Sequence, residues 1–355
     1  MSSSKLAVGI IGLPNAGKST LFNSLAARRL AETSPRPFTT ISPHEAVVPV
    51  PDANLERLAS AVSGGHQLAP SIVPATVKFI DIAGLVKGAH KGEGLGNQFL
   101  AKIREVDMVV HVINAYTSRS ADELVDDYKV IRTELALADL QSLERISSKQ
   151  LNSNPDLKIL VAKLAKLLNT QKPIDPNSFS SQERDALNSL FLLSIKPELV
   201  IFNCNESTEK NTSIDQIKTS FPDALFLSAR FAEDLIDLDE DDRREFLREF
   251  GLTDSAISSL VTACYALLGL ITFYTIKGGT QITAWSIGEG SNALDAAFRV
   301  HTDFGNNFIK AEVISVPELL NAGSWRNAKE KGSVRLEGKD YGVQDGDVIE
   351  CKVKA

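Results

Sequence analysis

Cysteine is scarce. The 355 residues contain three, Cys204, Cys264 and Cys351, scattered and with no C-x-x-C pair. That excludes a disulfide framework, a zinc ribbon and an iron–sulfur site. Positive charge is not in excess either: 38 Lys and Arg stand against 45 Asp and Glu, a net charge of -7. A uniformly basic nucleic-acid binder is thereby excluded, DNA is not an expected partner, and only a local basic face stays open. No secretory pattern opens the chain, because apolar residues 6–13 run straight into a glycine-rich motif without a small-residue cleavage site. One uncharged stretch, residues 255–276, has the length to span a bilayer. It is interrupted by Ser, Thr and Tyr, and Gly269 divides it into a helical half and a half rich in β-branched and aromatic residues. A buried helix followed by a strand is expected there, with no membrane partner and a cytoplasmic location. No internal repeat is visible.

What is present is an ordinary globular mix, 43% apolar and 23% charged, and a length that suggests two or three domains. Short apolar runs at 6–11, 73–82, 106–113, 199–203 and 224–227 predict strands. They alternate with helical stretches such as 20–30, the pattern of a mostly parallel sheet covered by helices. From 120 to 196 the texture changes: Leu124, Tyr128, Ile131 and Leu135, then Leu157, Leu160, Leu164, Leu167 and Leu168, recur at helical spacing. Two long amphipathic helices are expected there as a hairpin, joined through Asn152-Ser153-Asn154-Pro155. The charged stretch 237–248 predicts a helix with an acidic start, and after Ile276 glycine turns and strand-like pieces predict a small α+β domain. The expected domains are 1–118 and 197–274 as two parts of one α/β unit, 119–196 as a helical insertion, and 275–355 as the C-terminal domain.

Gly12 to Ser19 spells G-L-P-N-A-G-K-S, a complete G-x-x-x-x-G-K-[ST] phosphate loop between a predicted strand and a predicted helix. Backbone N–H groups wrap phosphates in such a loop, so Gly12 and Gly17 must allow close approach. Asn15, Ala16, Gly17 and Lys18, with Ser19 and Thr20 opening the helix, are the expected nucleotide contacts. Lys18 reaches the β- and γ-phosphates, and the Ser19 hydroxyl ligates Mg²⁺. Asp81-Ile82-Ala83-Gly84 ends the next suitable strand; Asp81 can hold Mg²⁺ through water and the Gly84 N–H can sense the γ-phosphate. The following loop holds Gly88, Gly92, Gly94 and Gly96 and suggests a segment ordered by nucleotide state. In Pro37-Phe38-Thr39-Thr40-Ile41-Ser42-Pro43, Thr39 and Thr40 compete for the role of a switch threonine on Mg²⁺.

The base-reading segment departs from the N-K-x-D of guanine-specific GTPases. The strand at 199–203 leads into Asn203-Cys204-Asn205-Glu206. Without the Lys, no aliphatic stem lies along the base, and Glu is one methylene longer than the Asp that accepts from guanine N1 and N2. Guanine specificity should fall and adenine becomes admissible. Ser228-Ala229 fits the loop that closes over the base. Leu85 occupies the position where many GTPases carry a water-orienting Gln. His111, the polar side chain of an apolar strand, and His90 in the glycine-rich loop are the candidates to replace it. A packed core histidine is the alternative reading of His111.

Together the phosphate loop with Thr20, the P-F-T-T-I-S-P segment, D-I-A-G-L-V-K-G-A-H-K-G-E-G-L-G-N-Q-F-L and N-C-N-E resemble the YchF family of Obg-like ATPases. The stretches from His301 to Ile314 and from Arg335 to Val348 resemble that family's TGS domain, a ubiquitin-like β-grasp module. The resemblance implies an α/β P-loop NTPase fold (a G domain with a mostly parallel sheet), a helical hairpin insertion and a C-terminal TGS domain. It implies a slow ATPase that takes GTP less well and associates with the large ribosomal subunit or the whole ribosome, with rRNA contacts through the insertion and TGS domain. Ser19 and Thr40 would be the Mg²⁺ ligands, and Asn203, Cys204 and Glu206 would line the adenine pocket. The family also carries a His matching His111. The chain departs from the family at Arg36, at His44, and after His111, where I-N-A-Y-T-S-R-S replaces R-C-F and a following segment. A GTP-selective ribosome-assembly switch and a ribosome-binding scaffold with a structural nucleotide remain the alternatives.

Overall fold

The computed structural model describes residues 6–32, 44–62, 70–82, 95–117, 119–170, 174–175, 178–205, 212–235, 238, 242, 245 and 256–354. In chain order its strands are β1 (Ala7–Ile11), β2 (Glu45–Pro49), β3 (Ser71–Val73), β4 (Thr76–Asp81), β5 (Met108–Asn114), β6 (Glu198–Asn203), β7 (Leu225–Leu227), β8 (Leu270–Lys277), β9 (Gln281–Gly288), β10 (Phe308–Ser315), β11 (Arg335–Glu337) and β12 (Asp347–Val353). The helices are α1 (Lys18–Glu32), α2 (Ala53–Val62), α3 (Leu95–Glu105), α4 (Ala121–Glu144), α5 (Ser148–Ser153), α6 (Pro155–Leu168), α7 (Ser181–Ser189), α8 (Thr212–Ser220), α9 (Ala229–Asp234), α10 (Ala256–Leu267), α11 (Ala293–Val300), α12 (Thr302–Asn306), α13 (Val316–Ala322) and α14 (Trp325–Glu330). The chain divides into two compact units, one of residues 6–47 and 78–257, the other of 48–77 and 258 onward.

The first unit is built on a six-stranded sheet of order β2-β4-β1-β5-β6-β7. β1 runs parallel to β4 and β5, β5 to β6, and β6 to β7. All five residues of β1 are buried, which is why its sequence is uniformly apolar rather than alternating. Parallel pairing brings the carboxyl ends of β1, β4 and β6 to one edge, and the phosphate loop, Asp81 and Asn203 lie at those ends.

Residues 73–82, expected as one strand, are two. The break falls at Pro74, which has no N–H to give to a ladder. On one side β3 pairs parallel with β9 of the second unit, and on the other β4 pairs with β1.

The helical region also differs from a simple two-helix hairpin. α4 begins with a full capping box between Ser120 and Glu123, α5 with one between Ser147 and Gln150, and α7 with one between Ser180 and Glu183. α4 and α5 are thus separated at 145–147, and the expected joint at 152–155 lies between α5 and α6, where Asn154 caps and Pro155 occupies the first turn. Ile131, Leu135 and Ala138 of α4 share a core with Ile11, Phe99 and Ile103, and Leu124 packs with Ile113, Phe202 and Ile214. α4 thus covers the sheet as well as packing on α6, so the expected boundary at 118/119 falls before a helix that belongs to the first unit's core.

The second unit has a six-stranded mixed sheet of order β11-β10-β12-β8-β9-β3. β8 and β9 form an antiparallel hairpin, β10 is antiparallel to β11 and β12, and β12 is parallel to β8. Phe273, Ala293, Ala296, Ala311, Val313 and Ile349 form its buried center under α11. The expected boundary at 275 falls inside β8. The uncharged stretch 255–276 is α10 followed by β8, and no described helix is long and apolar enough to cross a membrane. The helix expected at 237–248 lies almost wholly outside the described residues.

Candidate functional site

The phosphate loop joins β1 to the 15-residue α1, whose first turn contains no acidic residue. Its N-terminal N–H groups and helix dipole are therefore not neutralised by an acidic side chain of the helix itself, a condition that favours an anion there. Gly17 has φ +93, and a Cβ there would collide with the Asn203 side chain; a Cβ on Gly12 would meet the Val112 carbonyl oxygen. Both glycines are thus required by close approach. Asn15 adopts φ +60, a left-handed conformation that a non-glycine residue takes at a cost.

Lys18 is buried, and its Nζ donates to the Leu13 carbonyl at 2.8 Å. Burial lowers its pKa, while the negative charge of Asp81 opposes the fall. Asp81 itself sits at the end of β4, paired in register with Ile10 just ahead of the loop. Ser19 is exposed in the first turn of α1. A serine hydroxyl and a carboxylate are hard oxygen donors that suit Mg²⁺ alongside phosphate oxygens. No group of three or more His, Cys, Asp or Glu that could hold a metal occurs among the described residues.

Asn203, buried at the end of β6, connects two loops. Its Nδ2 donates to the Ala16 carbonyl at 3.0 Å and its Oδ1 accepts from the Ala229 N–H at 2.9 Å. Ser228 caps α9, its Oγ accepting from the Phe231 N–H at 3.1 Å. Cys204 is buried beside Ile113, Ala115 and Ile214, and its N–H donates to the Leu227 carbonyl at 2.8 Å. These residues bound an open pocket of about 570 Å³ whose walls include Gly17, Thr20, Tyr116, Cys204, Ser228 and Ala229, within the size range of small-molecule sites. Thr39, Thr40, Gly84, Leu85, His90 and Glu206 lie outside the described residues.

His111 is not among the residues that line this pocket. It is 1% exposed, its Nδ1 lies 2.8 Å from Glu198 Oε1, and its ring stacks on Tyr128 at 5.3 Å between centroids. Glu198 also accepts from Arg132 at 3.2 Å and from the Tyr128 hydroxyl at 3.3 Å. Burial pushes the Glu198 pKa up, but the hydrogen bonds and charges of His111, Arg132 and Tyr128 outweigh it and hold the carboxyl below its ordinary value. Burial raises the Tyr128 pKa, and Glu198 adds to that shift. The geometry is that of a buried hydrogen-bonded network joining β5, β6 and α4, in which Arg132 Nε alone is left without a partner among these groups.

Tyr116 and Asn205, like Arg230, Phe231 and Asp234, line the pocket but are not among the residues expected from sequence. The Tyr116 hydroxyl donates to the Asn15 carbonyl at 2.6 Å, and Asn205 Nδ2 donates to the Tyr116 carbonyl at 2.7 Å. Both lie in segments already singled out, I-N-A-Y and N-C-N-E, but nothing in spacing alone assigns them a partner.

Residues 7–153 match a family profile described as "50S ribosome-binding GTPase", and residues 270–354 match the YchF-GTPase_C profile, whose description is "Protein of unknown function". The chain is 40% identical over 359 residues to the ribosome-binding ATPase YchF of Escherichia coli O157:H7, covering 96% of this chain and 97% of that one. It is 36% identical over 365 residues to the ribosome-binding ATPase YchF of Bacillus subtilis, covering 97% and 98%. The solved structure of the Schizosaccharomyces pombe YchF GTPase superimposes with a TM-score of 0.85 at 29% identity, over 98% of each chain.

Proposed function

We propose a function from the premise that the chain belongs to the YchF family: it is a Mg²⁺-dependent hydrolase that binds ATP, and GTP less well, and switches while associated with the ribosome. The observation that carries this reading is the Asn203 side chain, which ties the phosphate loop to the Ala229 loop beside a pocket where Cys204 stands in place of a guanine-specific lysine. The matched ribosome-binding ATPases support ATP as substrate and the ribosome as partner.

In this reading Lys18 and the loop amides hold the β- and γ-phosphates, and their preorganisation around the γ-phosphate supplies most of the acceleration. Ser19, Asp81 and Thr40 would hold Mg²⁺, which would neutralise charge developing between the β- and γ-oxygens. Asn203, Cys204 and Glu206 would line the base, with Ser228 and Ala229 closing over it, and Gly84 would face the γ-phosphate. Burial has already removed part of the water of the Lys18 ammonium, so less desolvation is left to be done when nucleotide arrives. The unit of 48–77 and 258 onward, with its mixed sheet, fits a TGS module. Together with the helices after α4 it would supply the ribosomal and rRNA contacts, in the cytoplasm.

Multiple-turnover hydrolysis of ATP by the purified protein, measured against Lys18→Ala, tests the enzymatic part. Turnover in the wild type and loss in the variant are expected. Equal, background-level phosphate release from both would leave only a scaffold with a structural nucleotide.

A further inference from the structure

Two side chains from the end of β5 converge on one backbone atom of the phosphate loop. The Tyr116 hydroxyl donates to the Asn15 carbonyl at 2.6 Å, and Asn114 Nδ2 reaches the same oxygen at 3.4 Å. Asn15 is the non-glycine residue of this loop with positive φ, at +60. A residue in that conformation relaxes unless its surroundings hold it. The next carbonyl along, that of Ala16, is held by Asn203, so two successive peptides are pinned through their oxygens by different strands.

In a trans peptide the C=O and N–H point in opposite directions. Fixing the Ala16 oxygen therefore fixes the direction of the Gly17 N–H. Fixing the Asn15 oxygen sets the peptide whose N–H, on Ala16, closes a turn onto the Leu13 carbonyl at 3.3 Å. Tyr116 is itself anchored, since Asn205 Nδ2 donates to its carbonyl at 2.7 Å. It is still 36% exposed, so it is not held there by core packing. A half-exposed tyrosine whose backbone is tied to the base-reading segment and whose hydroxyl is tied to the phosphate loop links the two ends of the nucleotide pocket.

We propose that Tyr116, assisted by Asn114, is a positioning residue that clamps the strained Asn15 peptide and so keeps the phosphate loop in its nucleotide-ready shape before ligand arrives. The clamp rests on the reading of this site as a nucleotide site. It acts on backbone and not on the base, so its contribution is the same for adenine and guanine nucleotides. Bound nucleotide itself holds the loop in that shape, so loss of the clamp is felt on binding, as a raised KM, while the loaded site keeps the preorganisation that sets kcat.

Tyr116→Phe keeps the ring and removes the hydroxyl. It should weaken ATP, ADP and GTP alike by about fivefold, the scale of one hydrogen bond. KM should rise by the same factor, kcat should stay within about twofold of wild type, and the melting temperature without nucleotide should be unchanged. In an Asn15→Gly background positive φ carries no side-chain cost, and the same substitution should lose less than half as much affinity. Three results would each overturn the clamp: unchanged affinity in Tyr116→Phe, a loss confined to one base, or a loss of the same size in the Asn15→Gly background. A wild-type protein that binds no nucleotide would overturn the functional reading itself, and so is distinct from them.

Discussion

Asn203 and Ala16 are 187 positions apart in sequence, yet the Asn203 amide donates to the Ala16 carbonyl at 3.0 Å from a buried position. One side chain thereby ties the carboxyl end of β6 to the phosphate loop, and its other atom accepts from the Ala229 N–H at 2.9 Å.

Asn203→Ala deletes both bonds and should weaken nucleotide by tenfold or more, about 1.4 kcal/mol at least. Asn203→Asp is the sharper variant. It keeps an oxygen for the Ala229 N–H but turns a carboxylate oxygen toward the Ala16 carbonyl, so it should bind no better than Asn203→Ala. Equilibrium titration of both variants with one nucleotide checks this, and near-normal affinity of Asn203→Asp would remove the bridge from the account.

The His111 ring is occupied by Glu198 and Tyr128. His111→Ala should therefore cost stability rather than catalysis, roughly 3 kcal/mol, since it leaves a buried carboxylate short of a partner. Turnover per folded molecule should stay within about twofold, far less than the tenfold that 1.4 kcal/mol of barrier represents. A larger kinetic loss in fully folded protein would return His111 to the candidates for orienting water, ahead of His90 or a group on a partner.

Glu198 gives the same network a pH signature. Its pKa is held below the ordinary carboxylate value of 4.5 in the folded protein. A depressed carboxyl contributes stability that is present above the unfolded-state value and lost as pH falls through the folded one. The advantage of wild type over Glu198→Gln in chemical denaturation should be full near pH 7 and shrink as the pH falls below the ordinary carboxylate range. A difference independent of pH would mean that the carboxylate charge contributes nothing.

Ser19→Ala removes a proposed metal ligand and no proposed phosphate contact. It should weaken Mg²⁺-nucleotide more than Mg²⁺-free nucleotide. Titrations with and without the ion, giving equal losses, would reject that role.

Much of the nucleotide unit was legible because its signals are local. The G-x-x-x-x-G-K-[ST] spacing places glycines, lysine and serine where a strand meets a helix, and that is where β1 meets α1. Uniformly apolar runs identify parallel strands for the same reason. What stayed hidden depends on tertiary partners. Pro74 marks a break, but nothing local says that β3 on its far side joins a different sheet. The leucine stripe of α4 is compatible with a hairpin and with a sheet cover, and only the contacts of Ile131 and Leu135 with Ile11 and Ile103 decide it. His111 is legible as a catalytic candidate or as a packed core histidine, and nothing local shows that Glu198, 87 residues away, meets its Nδ1. Tyr116 is ordinary until its hydroxyl is found on the Asn15 carbonyl.

On the proposed reading the pocket beside Asn203 and Cys204 accepts adenine. Competition of ATP and GTP for the wild-type protein at fixed Mg²⁺ tests it most directly. Cys204 is buried among apolar neighbours and offers no aliphatic stem to lie along a guanine, and Glu206 takes the place of the aspartate that would pair with it. ATP should therefore bind at least as tightly as GTP. A preference for GTP of about a hundredfold, roughly 2.7 kcal/mol, would contradict the account and make the protein a guanine-selective switch.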